Sequence, residues 1–467
     1  MSSLSDNRLI LCGASVRSLA ESAIHAGFFP ICLDFFGDSD LRGLVALLRS
    51  STELRLSPVG AGYRQLTGFD GVLAVTREID SAVPCVWAGG LENYPAILEA
   101  LALERPVLGA SPAAIRRVRD PRQLSAWLSA AGCLFPATRI GAGPDLTCGL
   151  PVAPNARWLL KSLRGSGGHG VEEYRESCTA GVWSDGGSVQ QQSVPGIPMS
   201  ATFLATPKEI CLIGCTLQLC GWHSLGSAPF RYCGNWGPVR PPASVIEELV
   251  RGAAAVSGGA GLIGIFGVDF VLGRGVGPAD QRQPARPWIL EVNPRMTAAH
   301  ELFEFSAGVS LLSAHVASFR PTDQSSRMVF RALRPQGEPA AGNRRQMLRM
   351  IAYARRDIEI TPEFLSRLVL HERHGTASQV PPAAVSSAAV PTTPSIARLS
   401  DLPSRGSRIA AGHPVCSVYF AGEDGSRIPE QIESVAGSVW SACGLHGREI
   451  SRQFVRLQHD FCEAITN

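Results

Sequence analysis

The sequence predicts an α/β protein that opens with a small parallel sheet. Three segments carry that expectation. RLILCGA (8–14) reads as a buried strand ending in a glycine turn, SVRSLAESAIHAG (15–27) has helical spacing and stops at Gly27, and FFPICLDF (28–35) is a second strand ending at Asp34 and Phe35. GVLAV (71–75), PCVWAG (84–89) and RPVLGA (105–110) continue the series as strands, with LENYPAILEALALE (91–104) as a helix between them. Residues 1–115 are therefore expected to form an open parallel sheet with covering helices. The first turn holds Gly13 but no G-x-G-x-x-G, and Asp34 follows about 20 residues on. A structural domain, a substrate-contacting loop and a dinucleotide site are all readings of that turn.

The 467 residues suggest about three domains. At 45% hydrophobic and 18% charged the composition is that of a globular chain. A net charge of +3 with no basic block gives no reason to expect a nucleic-acid partner or an anionic membrane surface. No apolar run reaches about 18 residues, so no spanning helix is expected. MSSLSDNRLILCG has no basic stretch before an apolar one, so no secretory signal is expected. The 13 cysteines are scattered, without a C-x-x-C. They read as thiols in a reducing cytoplasm, with Cys211, Cys215 and Cys220 as the closest grouping.

Further along, 116–140 reads as a helix and then an extended segment. WLLKSL (158–163), SVQQQSV (188–194), MSATFLAT (199–206), EICLIGCTLQLCG (209–221), GIFGVDFVL (264–272) and PWILEVNPR (287–295) read as strands, with helices at about 244–257 and 298–318. From about 327 a third region begins with the strand-like MVFRALRP. TASQVPPAAVSSAAVPTTPSIAR (376–398) reads as a linker, and the chain ends in turn–strand alternation and a helix.

Two constellations carry chemistry. Only Lys161 and Lys208 are lysines among the 43 basic residues. Arginine replaces lysine on most surfaces but not where a compact ammonium must reach into a phosphate site. Lys161 sits on a strand and is followed by Arg164-Gly165-Ser166-Gly167-Gly168-His169-Gly170. Such a loop can fold over phosphates and donate backbone N–H groups, although no Lys-Ser/Thr follows as a Walker loop requires. Asp269 lies on one strand and Glu291-Val292-Asn293-Pro294-Arg295 ends another. Glu291 and Asn293, two apart, share a face. Two carboxylates and an amide oxygen suit Mg²⁺, and Arg295 can hold a phosphate or carboxylate bidentately. A surface ion-pair network around Arg295 is the plainer alternative for Glu291 taken alone. Beyond Arg295, Met296–Glu301 sit where they could line a substrate pocket, although His300 reads first as a capping or core residue. Trp222 and His223 lie in an aromatic, glycine-rich loop that suits either packing or an aromatic substrate.

These residues resemble those of the ATP-grasp enzymes. Glu291–Arg295 is similar to that family's metal-binding strand. Lys161 and residues 164–170 stand where its phosphate lysine and glycine-rich lid lie, and Gln190–Gly196, with Gln191, Gln192 and Val194, resembles its adenine-receiving hinge. The resemblance spans roughly residues 1–320, and Asp401–Gly422 is similar to the small closing domain of biotin carboxylase-like relatives. It implies a pre-ATP sheet domain (1–115), a two-lobed ATP-grasp domain (116–320) and a C-terminal β-rich domain (321–467). Lys161, Arg164, Gly165, Ser166, Gly167, Gly168, Gly170, Gln191, Gln192 and Val194 are then expected to bind ATP. Asp269, Glu291 and Asn293 would hold Mg²⁺ or Mn²⁺, and Arg295 and Lys161 would serve catalysis. Two departures stand out. Gln192 occupies a position usually filled by Glu, and Asp120 is followed by Pro121 where relatives carry a second phosphate lysine, leaving Arg119 or Arg122 to supply the charge.

The implied activity is ATP-dependent joining of a carboxylate to an amine through an acyl phosphate, on small-molecule substrates, by a cytoplasmic protein that is commonly a homodimer among relatives. The branch resembled includes a tyramine–glutamate ligase, which implies a role in methanofuran- or tetrahydromethanopterin-type coenzyme synthesis and one-carbon metabolism. Bicarbonate activation and non-catalytic ATP binding are the alternatives.

Overall fold

The computed structural model describes residues 7–50, 62–140, 147–152, 156–175, 187–274, 283–319, 345–369, 398–422 and 425–466. The first layer is β1 (Arg8–Gly13), α1 (Arg17–His25), β2 (Phe29–Asp34), α2 (Ser39–Ser50), β3 (Tyr63–Gln65), α3 (Gly71–Arg77), β4 (Cys85–Trp87) and α4 (Pro95–Glu104). Its strands are parallel, in the order β3-β2-β1-β4. Ile10, Leu11, Cys12, Ile31, Cys32, Leu33, Cys85 and Val86 are buried, as the continuous apolar runs of a sheet covered on both faces require.

Next come α5 (Pro112–Arg119), α6 (Pro121–Ala130), β5 (Thr138–Arg139), β6 (Thr147–Cys148), β7 (Trp158–Ser162), β8 (Val171–Glu173) and β9 (Ser188–Gln192). The five strands form an antiparallel sheet in the order β6-β5-β9-β7-β8. Then follow β10 (Ile197–Ala205), β11 (Ile210–Cys220), β12 (Tyr232–Val239), α7 (Ala243–Ala260), β13 (Gly264–Arg274), β14 (Ala285–Asn293), α8 (His300–Ala307) and α9 (Leu311–Ser318). The chain closes with β15 (Gln346–Tyr353), β16 (Ile358–Glu359), α10 (Pro362–Val369), β17 (Arg398–Ser400), β18 (Arg408–Ile409), β19 (Pro414–Gly422), α11 (Ile428–Ser434) and α12 (Gly447–Thr466). The largest sheet has eight strands in the order β14-β13-β10-β11-β12-β15-β19-β17, so strands after residue 345 extend the sheet begun at residue 197. Among the described residues no helix is long and apolar enough to cross a membrane.

Several sequence expectations need correction. Residues 71–75, read as a strand, belong to helix α3, in which Val72 and Thr76 are buried one turn apart. A short apolar run has no periodicity of its own to separate the two forms. RPVLGA makes only a single parallel bridge, Val107 to Cys85. The helix expected after 116 is two helices, because Asp120 caps α6, accepting the Arg122 N–H at 3.0 Å, with Pro121 at the first helical position. The helix expected at 298–318 is also two, broken by Gly308 at φ +66° with Ser310 capping α9. The terminal helix breaks at Gly444, φ +74°. MVFRALRP and nearly all of the 376–398 segment lie outside the described residues.

One buried ionic cluster ties the three parts of the chain together. Arg17 of α1 is 1% exposed and donates to both Glu301 oxygens of α8 at 2.7 and 3.1 Å, to Asp401 at 2.8 Å and to the Tyr419 hydroxyl of β19 at 2.9 Å. Arg349 of β15 donates to the second Asp401 oxygen at 3.0 Å and lies 3.6 Å from Glu301. Burial alone would raise the Glu301 carboxyl, but Arg17 and Arg349 hold it down at about 2. A second tie is His315 of α9, 3% exposed, whose Nε2 donates to Leu108 O at 3.0 Å while Nδ1 accepts the Ile265 N–H at 2.9 Å. Both ring nitrogens are used by the neutral form.

Arg17→Met should leave Glu301 and Asp401 buried without their cation and cost about 3–5 kcal/mol. Arg77→Met, which breaks an exposed pair with Glu104, should leave the thermal midpoint unchanged. Equal midpoints for the two variants would contradict the cluster's role. Burial also depresses His315 to about 4 in the folded chain. An unfolded histidine titrates near 6.5, so the unfolded chain takes up that proton first. Stability on the order of 3 kcal/mol should be present above about pH 6.5 and be lost as pH falls toward 4. Denaturation of wild type and His315→Gln across that range measures it, the variant lacking this part of the slope.

Candidate active site

Lys161 leaves β7 toward the large sheet, 17% exposed, and its ammonium donates to Gln191 Oε1 at 3.2 Å and to Glu291 Oε2 at 3.3 Å. β7 and Gln191 belong to the five-stranded sheet and Glu291 to the eight-stranded one, so this lysine spans the gap between them. The Gln191 amide is oriented from behind: its Nε2 donates to Thr138 Oγ1 at 3.2 Å, and that hydroxyl donates to Pro136 O at 2.9 Å. A cavity lies between the sheets, lined by Lys161, Leu163, Gly165, Ser166, Gly167, Gln191, Glu291, Asn293, Arg119 and neighbouring apolar side chains.

The carboxylates come together through strand register. Asp269 of β13 stands opposite Glu291 of β14, and Gly267 opposite Asn293, so all three side chains issue from one face. Asn293 Nδ2 donates to Asp269 Oδ2 at 2.9 Å and Gln218 Nε2 to Asp269 Oδ1 at 2.9 Å. Burial and the adjacent Glu291 push the Asp269 carboxyl up to about 7, while Lys161 holds Glu291 below the usual range. Two carboxylates this close are short of positive charge. With the Asn293 amide oxygen beside them they form a hard-oxygen donor set that fits a divalent cation.

The glycine loop is laid across the cavity toward β12. Gly167 O accepts the Tyr232 N–H at 3.0 Å. Gly168 has φ +77°, and a Cβ there would lie 2.1 Å from Phe230 O. Glycine is required on both counts. Gly165 and Gly167 line the cavity. Arg164, Gly168 and Gly170 lie outside its lining, as do Gln192 and Val194 at the hinge, Asp269 and Arg295.

Arg295 is held by a residue that the sequence analysis passed over. Its Nε donates to Glu92 Oε1 at 2.7 Å and its Nη1 to Met296 O at 3.2 Å. Glu92 is 2% exposed and follows the Gly89–Gly90 turn at the carboxyl end of β4. Arg119 lies 4.0 Å from the same Glu92 oxygen and donates to Asn93 Oδ1 at 2.6 Å and Leu163 O at 3.1 Å. Of the two arginines considered for the missing lysine, Arg119 reaches the cavity, whereas Arg122 is exposed. An acidic residue just past a double-glycine turn, at the strand end where α/β sheets bind ligands, was the available signal for Glu92.

Other candidates fall away. Trp222 is 6% exposed within the core, so its role is packing. The His223 side chain is exposed and outside the cavity lining, and its backbone O accepts from Arg355 at 2.8 Å. His300 is 2% exposed, with Nδ1 2.7 Å from Thr297 O at the start of α8. Cys211, Cys215 and Cys220 are free thiols on β11.

A family model for the ATP-grasp domain matches residues 118–299, a span that contains Lys161, the glycine loop, Asp269, Glu291, Asn293 and Arg295. This chain carries an ATP-grasp domain. Solved structures share the wider fold. An L-amino acid ligase from Bacillus licheniformis superposes with a TM-score of 0.60 at 13% identity, over 92% of this chain and 97% of that one. Carboxyaminoimidazole ribonucleotide synthase from Aspergillus clavatus, complexed with ATP, gives 0.57 at 13% identity over 92% and 97%. Biotin carboxylase from Campylobacter jejuni gives 0.58 at 13% identity over 92% and 91%. No curated protein sequence matches the chain.

Nucleotide binding in this cavity would divide among its cations. Lys161→Ala should weaken ATP binding about tenfold or more, the worth of one charge-assisted contact. Arg119→Ala should weaken it as well, and Arg122→Ala should not. Fluorescent-nucleotide titration checks all three, and wild-type affinity in Lys161→Ala would remove that residue from the site.

Proposed function

We propose that this protein is an ATP-dependent carboxylate–amine ligase acting through an acyl phosphate. The observation that carries the reading is the convergence of Lys161, Asp269, Glu291 and Asn293 across the gap between two sheets, with Arg295 two residues beyond Asn293. The ATP-grasp match supports ATP as the substrate, and the names of the structural neighbours, among them an amino acid ligase and an ATP-complexed synthase, support the reaction class.

Lys161 and the backbone N–H groups of Ser166 and Gly167 bind the phosphates, the Gly165 N–H being taken by Ser162 O at 3.1 Å. Asp269, Glu291 and Asn293 would hold Mg²⁺ or Mn²⁺, which when bound neutralises charge on the phosphate oxygens. Arg295, steadied by Glu92, holds the substrate carboxylate. A carboxylate oxygen attacks the γ-phosphorus, the bond to the β,γ-bridging oxygen breaks, and ADP leaves. The resulting acyl phosphate has a competent leaving group. An amine nitrogen then attacks the carbonyl carbon, the C–O bond to phosphate breaks, and the amine loses a proton. The glycine loop, laid over the cavity toward Tyr232, keeps water from that intermediate. A place in methanofuran- or tetrahydromethanopterin-type coenzyme synthesis is a finer proposal, resting on the sequence resemblance alone.

Phosphate release from Mg-ATP across a matrix of carboxylates and amines, including glutamate, tyramine and bicarbonate, tests the reading. A signal that needs both an acid and an amine is expected. Glu291→Gln should lower it by about 100-fold while ATP stays bound. Wild-type turnover in that variant would overturn the assignment, and release driven by bicarbonate alone would replace ligation with bicarbonate activation.

A further inference from the structure

A cluster of aromatic side chains stands at the carboxyl end of the parallel sheet and takes no part in the chemistry above. Phe69 packs on Phe35 at 4.2 Å between ring centroids and on Tyr94 at 4.7 Å. Phe36, next to Phe35 in the chain, is 61% exposed and Tyr94 45%, so this end of the sheet presents apolar surface to solvent. Such a patch costs free energy unless something covers it.

Its position says what covers it. A Cβ on Gly89 would lie 3.3 Å from Arg295 Cζ and 3.4 Å from Nη2, and a Cβ on Gly90 would lie 2.6 Å from Phe69 Cζ. Consecutive Cα atoms are about 3.8 Å apart. The guanidinium and the Phe69 ring therefore lie against adjacent residues of one turn. That turn is tied to the shelf through the backbone: the Ala14 N–H donates to Gly89 O at 2.8 Å and the Phe35 N–H to Ala14 O at 3.3 Å. Tyr94 follows Glu92 and Asn93, which hold Arg295 and Arg119. Glycine at both turn positions leaves room for a guanidinium at one and an aryl ring at the other.

We infer that Phe35, Phe36, Phe69 and Tyr94 form the specificity shelf for the acid substrate, and that this acid carries an aryl group a short span from its carboxylate. Arg295 takes the carboxylate and the shelf takes the ring, by the offset and edge contacts aromatic pairs favour. The inference rests on the ligase reading for the role of Arg295. A second copy of the chain is the other candidate cover, and the test includes it.

The full-length protein with Mg-ATP would be assayed for hydroxamate formation, hydroxylamine standing in for the amine. The acids would be phenylalanine, 3-phenylpropionate and 4-hydroxyphenylacetate against acetate, propionate and aspartate. Aryl acids should show kcat/KM at least about tenfold higher, and Tyr94→Ala or Phe36→Ala should cut that preference about fivefold to tenfold. Both side chains are substantially exposed, so the variants should fold, and Phe69→Leu is a milder third. Calorimetric binding of 3-phenylpropionate to the ATP-loaded protein is read alongside. No preference among acids, unchanged by the variants, overturns the shelf and leaves the ligase reading standing. Aryl-acid binding that weakens in Tyr94→Ala without any turnover keeps the shelf and overturns the ligase. A change of oligomeric state in Tyr94→Ala or Phe36→Ala, with acid preference intact, assigns the patch to self-association instead.

Discussion

The arrangement of the molecule depends on the buried charge cluster around Arg17. A guanidinium 1% exposed is tolerable only with its donors satisfied, and Glu301, Asp401 and Tyr419 satisfy them from two stretches far from it in sequence. Because Glu301 lies at the start of α8, the cluster also positions the Arg295–His300 segment that leads into that helix. Removing Arg17, Glu301 or Asp401 leaves a buried charge short of its partner, so the cluster ties the parallel-sheet layer to the large antiparallel sheet that the final strands complete.

The candidate site repeats the same physics with its compensation left incomplete. Lys161 balances Glu291, but Asp269 stays high because burial and its neighbour both disfavour its charge. On the other side Glu92 draws in Arg295 and Arg119, so positive charge collects beside a negative pair. A nucleotide triphosphate with its cation would complement both halves, the phosphates meeting Lys161 and Arg119 and the cation meeting the carboxylates.

Much of this was legible in the residues. The β-α-β opening, the strands carrying Lys161, Asp269 and Glu291, and the shared face of Glu291 and Asn293 follow from short-range pattern. The misreadings have local causes. Residues 71–75 offered too short an apolar run to choose helix over strand, and a capped turn at Asp120–Pro121 and glycine stops at Gly308 and Gly444 divided helices that composition alone made continuous. Trp222, whose glycine-rich loop suited either packing or an aromatic substrate, is core.

The sequence by itself determined the donor set, because a rare lysine, a glycine loop and an acid–amide pair two residues apart restrict the chemistry whatever their surroundings. Tertiary structure decided the partnerships. Glu92 with Arg295, Arg119 in place of Arg122, Arg17 with Glu301 and Asp401, and the aromatic shelf beside Gly90 each join residues from separate elements. Periodicity reports which face a side chain occupies within its own helix or strand. It carries no information about which other element that face will meet, and in this protein the charges that matter meet between elements.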